Sequence, residues 1–226
     1  MIIITSTKFL YSADENSHVS ALYEKRFVSK EGICRNVYDD VKLISSFCPF
    51  CTFGETYEVE HFLPQSQFPE LNIYPKNLLP ICHACNHIKL DLLPVSGDQY
   101  LIHPYFDELP SVRWLFANIE EHDTGAVLEF YVDLDGSVFG NLAHRLEYHF
   151  SKLELESRMR NRSSQIIIEM NDIVSQRLLI LDTDEIMSHF RGEGERSFRL
   201  HGNTLETAAY FAAADNEEFC RGDYNH

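Results

Sequence analysis

The sequence is short of basic residues. Its 226 residues contain 19 Lys and Arg against 35 Asp and Glu, which gives a net charge of −16 and a pI near 5.0. Proteins that bind nucleic acid without a partner normally use lysine and arginine to release the counterions around phosphates. An acidic chain is repelled from DNA at long range. If this protein acts on nucleic acid, we therefore expect a partner to supply the basic surface.

The alternative is a local basic face on the chain itself. The best candidate is the run of Arg158, Arg160 and Arg162, with Arg145 and Lys152 upstream. A solvated helix face is the simpler interpretation of this run, so the charge favours the partner.

The sequence also lacks low-complexity segments, internal repeats, a basic leader and an apolar run of membrane length. The short apolar start, residues 1–10, is better interpreted as an extended or docking segment. These features predict a cytoplasmic protein with no membrane partner, either one large domain or a small module within a larger helical body.

Cysteine use does not suggest a disulfide framework. Of the six cysteines, four form two C-x-x-C pairs, Cys48 with Cys51 and Cys82 with Cys85. Two such turns together provide the four thiolates of a tetrahedral structural zinc. The alternative is a set of reduced thiols or a redox pair, although a redox site would need one C-x-x-C at a strand-to-helix turn rather than two. Cys34 and Cys220 are interpreted as plain thiols.

A carboxylate and an imidazole lie side by side between the two cysteine pairs. Glu60 and His61 end a β-like run that begins at Tyr57. Neighbours on a strand point to opposite faces, so both side chains can serve one site only if the strand ends or bends there. Phosphodiester hydrolysis requires a base for water and a divalent cation for the phosphate. Glu60 suits a hard cation and His61 suits the proton transfer.

Residues 46–95 resemble the HNH endonucleases, whose fold is the ββα-metal finger. The resemblance rests on C-P-F-C at 48–51, E-V-E-H-F-L-P at 58–64, N-L-L-P at 77–80 and C-x-x-C-N-x-x-K at 82–89. The F-P-E-L insert at 68–71 and the C-N-H-I-K ending look most like the PtuB-like HNH subunit of Septu-type antiphage defence systems. In those systems the nuclease works with an ATPase, PtuA.

The resemblance implies a role for each matching residue. His61 is the expected general base, Glu60 the acidic metal ligand, and Asn77 the residue that braces the inter-strand loop and orients the histidine. Asn86 stands at the third position of the motif as catalytic residue and second metal ligand. His87, its neighbour, is the alternative ligand.

Two more residues of this segment carry expectations. Lys89 is expected near the phosphate as a substrate-binding residue. His83 shares a helix face with His87, and a solvated helix position is favoured for it. The four cysteines hold structural Zn²⁺, and Mg²⁺ or Mn²⁺ is the catalytic ion.

Outside the finger, the patterns predict mainly helices. The expected features are a helix over 37–47 that leads into Cys48, finger strands over 57–62 and 78–81, a finger helix over 85–92, a hairpin over 125–140 with its turn at 133–136, a helical stretch over 142–181 interrupted at Ser163-Ser164, a flexible break at 192–195 and a helix over 204–214. His103, beside aromatic and acidic residues, is interpreted as part of a packed turn, with a role near the active site as the alternative.

The predicted fold is therefore α+β, with a ββα-metal finger and structural zinc set into helical flanks plus a β-hairpin. Its parts are an N-terminal flank over 1–45, the nuclease module over 46–95 and a partner-docking helical scaffold over 96–226. The expected function is an endonuclease for DNA first and tRNA second, working in an antiphage complex with an ATPase. The alternatives are a non-catalytic zinc adaptor and a stand-alone restriction-type or homing nuclease.

Overall fold

A computed structural model describes residues 18, 21–93, 97–122 and 125–224 of the chain. The predicted extended segment at 1–10 lies outside these residues. The described fold is mixed α and β, with two separate two-stranded antiparallel sheets. It divides into two compact units, one of residues Met1–Leu93 with His103–Tyr105, and the other of residues Pro94–Ile102 with Phe106–His226.

The first unit contains a two-stranded sheet followed directly by a helix. Its elements are a π-helical turn (Glu24–Val28), helix α1 (Arg35–Leu43), strand β1 (Glu58–His61), 3-10 turns (Pro69–Leu71 and Pro75–Asn77), strand β2 (Leu78–Ile81) and helix α2 (His83–Lys89). In the antiparallel register Glu58 lies opposite Ile81, and His61 lies opposite Leu78. The helix predicted to continue to residue 47 ends at Leu43.

The core of this unit packs around one face of β1. Burial alternates along the strand, so that Val59 and His61 are buried while Glu58 and Glu60 are half-buried, as the two-residue period of a strand requires. Val59 belongs to a cluster of buried side chains that comprises Tyr23, Phe27, Val41, Val59 and Leu78. The two glutamates contact α2 instead.

The second unit is a hairpin covered by helices. Its elements are a 3-10 turn (Gly97–Gln99), strands β3 (Leu115–His122) and β4 (Gly125–Val132), then helices α3 (Gly136–Phe139), α4 (Leu142–Lys152), α5 (Leu155–Arg177), α6 (Thr183–His201), α7 (Leu205–Ala214) and α8 (Glu217–Arg221). Alternate residues of both strands, such as Ile119 and Leu128, are buried. Helix α5 packs on β4 and helix α7 packs on β3.

The hairpin predicted over 125–140 is wrong, because its first strand pairs with a different segment of the chain. Residues 125–132 do form a strand, but they pair with Leu115–His122 rather than with Val138 and Phe139. The expected turn leads into the short helix α3 because the Asp135 carboxylate accepts the backbone N–H of Ser137 and caps it.

The long helical stretch is interrupted in a different place from the one predicted. Helices α4 and α5 are separated at Leu153 and Glu154, and Glu154 has a left-handed backbone with φ of 54°. Ser163 is buried inside α5, where its hydroxyl donates to the carbonyl of Arg160, so it does not break the helix.

The flexible break predicted at 192–195 is also wrong, because these residues lie inside α6. A reciprocal capping box between Asp182 and Glu185 starts this helix. Gly194 is buried against the ring of Phe211. This close contact is possible because glycine has no side chain. No helix within the described ranges combines the length and the apolarity that a membrane crossing requires.

Candidate functional site

The four paired cysteines converge at one buried point of the first unit. All four side chains are buried, and their sulfur atoms lie within 4.8 Å of one another. The sulfurs of Cys51 and Cys82 are 3.8 Å apart. Four thiolates around a zinc ion at about 2.3 Å are separated by about 3.8 Å along each edge of a tetrahedron. The donor set and its spacing therefore fit a structural zinc.

The turns around the cysteines favour anionic sulfur. The backbone N–H of Gly54 donates to the sulfur of Cys51 at 3.3 Å, and that of Cys85 donates to the sulfur of Cys82 at 3.4 Å. Hydrogen bonds from the other three thiols, with Cys48 first, lower the pKa of Cys82, whereas the contacts within the cluster raise the pKa of Cys48 and of Cys85. The negative charge is therefore favoured at Cys82. A Cβ on Gly54 would lie 2.8 Å from the Cys82 sulfur, so only glycine fits beside the cluster.

His61 is buried at the end of β1 with one ring nitrogen already engaged. Its Nε2 lies 2.9 Å from the backbone carbonyl oxygen of Asn72. A carbonyl oxygen can only accept, so Nε2 carries the proton and Nδ1 carries the lone pair. The ring also meets Tyr23 edge-on, with centroids 4.8 Å apart. Burial lowers the pKa of His61, so the imidazole is neutral at pH 7 and can accept a proton.

Asn77 braces the loop that supplies this carbonyl. Its side-chain oxygen accepts the backbone N–H of Leu63 at 2.8 Å, and its amide donates to the carbonyls of Leu63 and Leu71. Asn77 thus ties both ends of the segment that carries Asn72. Through these contacts Asn77 holds the loop that carries Asn72, whose backbone carbonyl meets His61.

Glu60 faces away from His61 and is paired with a buried lysine. The Nζ of Lys89 lies 2.9 Å from the Glu60 Oε1, 2.7 Å from the carbonyl of His61 and 3.3 Å from the carbonyl of Leu90. The side chain of Lys89 is only 1% exposed. Contrary to expectation, Lys89 is not presented to a phosphate in solvent but bonds the end of β1 to the end of α2.

Of the two candidate ligands on α2, Asn86 is the one that contacts a carboxylate of β1. The amide nitrogen of Asn86 donates to Glu58 Oε2. His83, one turn earlier, places its Nδ1 2.6 Å from Glu58 Oε1. His87 is exposed, and within the described part of the chain no hydrogen bond or ion pair joins it to Glu58 or Glu60.

His83 is exposed on α2, as the sequence predicts for a solvated helix position. Sequence reasoning missed Glu58 and its contact with His83. The signal for both was present in the spacing. Glu58 is two residues before Glu60 and therefore on the same face of β1, and His83 is three residues before Asn86 on α2. Asn72 gave no comparable signal, because its backbone carbonyl contacts His61 and every residue has a carbonyl.

Residues His103–Tyr105 form a strap over the same end of the sheet. The ring of His103 lies 4.2 Å from that of Phe62, the residue after His61. The hydroxyl of Tyr105 donates at 3.1 Å to the carbonyl of Leu78, which is opposite His61 in the register. His103 Nδ1 accepts the backbone N–H of Tyr105. The strap is a packed turn, and it lies beside the predicted base.

The predicted basic face is largely used inside the second unit. Arg160 pairs with Glu129 and Glu156, Arg158 donates to the carbonyl of Leu153, and Arg145 pairs with Asp107. These guanidiniums are therefore already neutralised or hydrogen-bonded. Glu129 also belongs to a partly exposed group with Glu120 and His122 on the hairpin, where Arg160 already balances its charge.

Comparison with known proteins gives one relative to report. The chain is 34% identical over 162 residues to protein ea31 of Escherichia phage lambda, an alignment that covers 69% of this chain and 53% of ea31. The chain thus spans about half the length of that relative. No protein-family model matches the chain, and no solved structure matches it.

Proposed function

We propose that the protein is a metal-dependent endonuclease of the HNH type, with residues 46–95 as its ββα-metal finger. The observation that carries the proposal is the state of His61. The imidazole at the end of β1 is neutral, and the Asn72 carbonyl holds its proton on Nε2. The lone pair on Nδ1 can therefore accept a proton from a water molecule. Two strands between the cysteine pairs, followed by a helix that begins within the second pair, support the same assignment.

The residues around α2 fit a divalent cation. Strand β1 turns two carboxylates, Glu58 and Glu60, toward this helix, and Asn86 adds an amide. Carboxylate and amide oxygens are the ligands that hard divalent cations prefer. Such an ion would neutralise charge on the phosphodiester and on the leaving oxygen.

The other residues orient the base and hold the scaffold. Asn77 fixes the loop, the Asn72 carbonyl fixes the ring of His61, and His61 takes the proton of water at Nδ1. The zinc cluster joins the turn before β1 to the start of α2, because Cys82 caps that helix. The cysteines take no part in proton transfer.

We propose that the nuclease works with a basic partner, an ATPase in an antiphage complex of the Septu type. The net charge of −16 supports this part of the proposal. The internal pairing of Arg158 and Arg160 supports it too, because it weakens the case for a local basic face and hence for a stand-alone nuclease. DNA is the first substrate to test and tRNA the second.

One observation favours a second candidate, a zinc adaptor without catalysis. The buried ammonium of Lys89 occupies Glu60, the carboxylate expected to bind the catalytic ion. A scaffold that kept its zinc but had lost its cation site would look similar at this position.

A cleavage assay separates the two candidates. The full chain would be incubated with a mixed DNA and tRNA pool in magnesium or manganese, alone and with the co-expressed ATPase. We expect cleavage that His61→Ala abolishes and that the matched variant His87→Ala, on the exposed side of α2, retains. Zinc content of each variant serves as the folding control.

Each outcome of this assay has a direct reading. Cleavage that appears only with the ATPase would support the partner. Cleavage that persists in zinc-loaded His61→Ala would refute the assignment of the base. If the wild-type chain cuts nothing with or without the ATPase, the adaptor becomes the better explanation.

A further inference from the structure

The junction between α5 and α6 exposes three consecutive apolar side chains, Leu178, Leu179 and Ile180, which we call the apolar junction. Leu179 and Ile180 expose 83% and 81% of their surface. The buried residues nearest along the chain are Val174 and Ile186, so the core of the second unit ends on either side. Single exposed apolar residues are normal on a protein, but an exposed run is a feature of interaction sites.

Backbone hydrogen bonds hold the apolar junction in an ordered turn. The N–H of Leu178 donates to the carbonyl of Val174 at 2.9 Å. The N–H groups of Ile180 and Leu181 both donate to the carbonyl of Arg177, at 2.9 and 2.8 Å. The capping box that starts α6 follows directly. Because an ordered surface loses less conformational entropy on association than a loose one, this turn is well suited to binding.

Acidic residues flank the apolar junction. Between positions 172 and 185 one side chain is basic, Arg177, and four are acidic, namely Asp172, Asp182, Asp184 and Glu185. The four acidic residues are exposed. An apolar centre with a polar border is the arrangement of a protein interface. The border here is complementary to lysine and arginine on a partner.

The same charge disfavours two other occupants. Two copies of the apolar junction that met face to face would bring their acidic borders together, and like charges across an interface repel. A membrane of anionic lipid attracts lysine and arginine and would repel this border. A basic protein surface therefore fits the junction better than a second copy or a membrane does.

We propose that residues 178–180 are the docking site of a basic protein partner, which covers them with an apolar pocket bordered by lysine or arginine. The apolar contact holds the complex, and the acidic border speeds the encounter. This proposal rests on the proposed function for the identity of the partner, the ATPase, but not for the chemistry that the junction recognises.

The test compares the double variant Leu179→Ser/Ile180→Ser with Leu200→Ser, a matched control because Leu200 is 59% exposed elsewhere on α6. Each full, zinc-loaded chain is titrated with the ATPase and with a labelled amphipathic helical peptide of leucine and lysine. A peptide of leucine and glutamate is the control for charge. Biolayer interferometry measures binding of the ATPase, and fluorescence anisotropy measures binding of the peptides.

We expect the double variant to bind the ATPase and the leucine–lysine peptide at least about tenfold more weakly than the wild-type chain, and Leu200→Ser to leave both unchanged. Asp184→Asn should slow association with the ATPase and leave dissociation nearly unchanged, because a charge at the border acts on the encounter. The urea midpoint of the double variant should equal that of the wild-type chain, since exposed side chains contribute little to stability.

Binding that the double variant retains would overturn the proposal, as would a wild-type chain that binds neither probe. A lowered urea midpoint would also overturn it, because the substituted side chains would then be covered in the folded chain. Pelleting with phosphatidylglycerol vesicles, or a dimer in light scattering, that the double variant loses would assign the junction to a membrane or a second copy instead. If the leucine–lysine peptide binds through the junction and the ATPase does not bind, the partnered nuclease fails and the docking site stands.

Discussion

At the scale of single residues, the most informative contact is the one between His61 and a backbone carbonyl. Free histidine protonates near pH 6.5, and the desolvation of the buried ring moves the pKa of His61 below that value. The hydrogen bond to Asn72 and the charge of Glu60 oppose this shift without reversing it. The proposed base is thus kept in its unprotonated form, and the hydrogen bond to Asn72 fixes the orientation of its ring.

The cleavage rate should therefore persist into mildly acidic solution. Activity requires neutral His61, so its loss should follow the folded-state pKa and occur below pH 6.5. Stability should fall in the same direction, because the unfolded chain binds this proton more readily than the folded one. The measurement is the initial rate from about pH 5 to about pH 8, with an NMR titration of the His61 ring. An acidic limb at or above pH 6.5 would contradict the effect of burial.

Lys89 illustrates what sequence reasoning at this scale cannot reach. Its position after Asn86 suggested a surface cation near phosphate, but its acceptors are Glu60, 29 residues earlier, and two carbonyls. A long-range ion pair leaves no local pattern. The cysteine pairs were easier to interpret, because their spacing alone brings two sulfurs together within each turn.

At the scale of elements, the two glycines of α6 offer a matched pair. A Cβ on Gly194 would lie 3.0 Å from the ring of Phe211, whereas a Cβ on Gly192 would meet nothing within 4 Å. Both residues have helical backbones, so alanine should help each helix position by roughly 0.5–1 kcal/mol before any clash is counted.

We expect Gly194→Ala to lower the free energy of unfolding by about 1–2 kcal/mol, because the ring of Phe211 is buried and must shift. Gly192→Ala should raise the free energy of unfolding by about 0.5 kcal/mol. Urea denaturation of the two variants measures both values. Equal effects would mean that α6 and α7 do not pack as described.

Helices and strands were predictable where a hydrophobic periodicity or a capping residue lay within one short stretch of sequence. Strand β1 and helix α2 lie close to their predicted positions, because cysteine spacing and alternation define them locally. Strand β3 was missed because Glu120, Glu121 and His122 hide its alternation. Only its pairing with β4 makes it a strand. Asp135 was read as a turn residue, although it caps a helix, because aspartate favours both positions.

At the scale of the whole molecule, the four cysteines belong entirely to the first unit. The helices and the hairpin of the second unit have their own buried side chains and use none of these sulfurs. Zinc binding requires deprotonated thiolates, so its free energy contributes to the folding of the unit that provides them.

Removal of zinc with a chelator should therefore unfold the first unit and spare the second. Hydrogen exchange followed by mass spectrometry should show lost protection over 58–61 and 78–89, with protection kept over 155–177 and 183–201. Cys85→Ser should reproduce the pattern, and Cys220→Ser, at a buried thiol outside the cluster, should not affect zinc. Simultaneous loss of protection in both units would show that they fold as one.

The strap has a consequence for how the protein is made. Residues 94–102 belong to the second unit, yet His103–Tyr105 close over Phe62 and Leu78 in the first. A nascent chain that has left the ribosome only as far as residue 93 has both C-x-x-C pairs and both strands of the first sheet, but not the strap. Chains fold from the N-terminus as they emerge. The surroundings of His61 are therefore completed only when residues 103–105 have been made, after the first residues of the second unit.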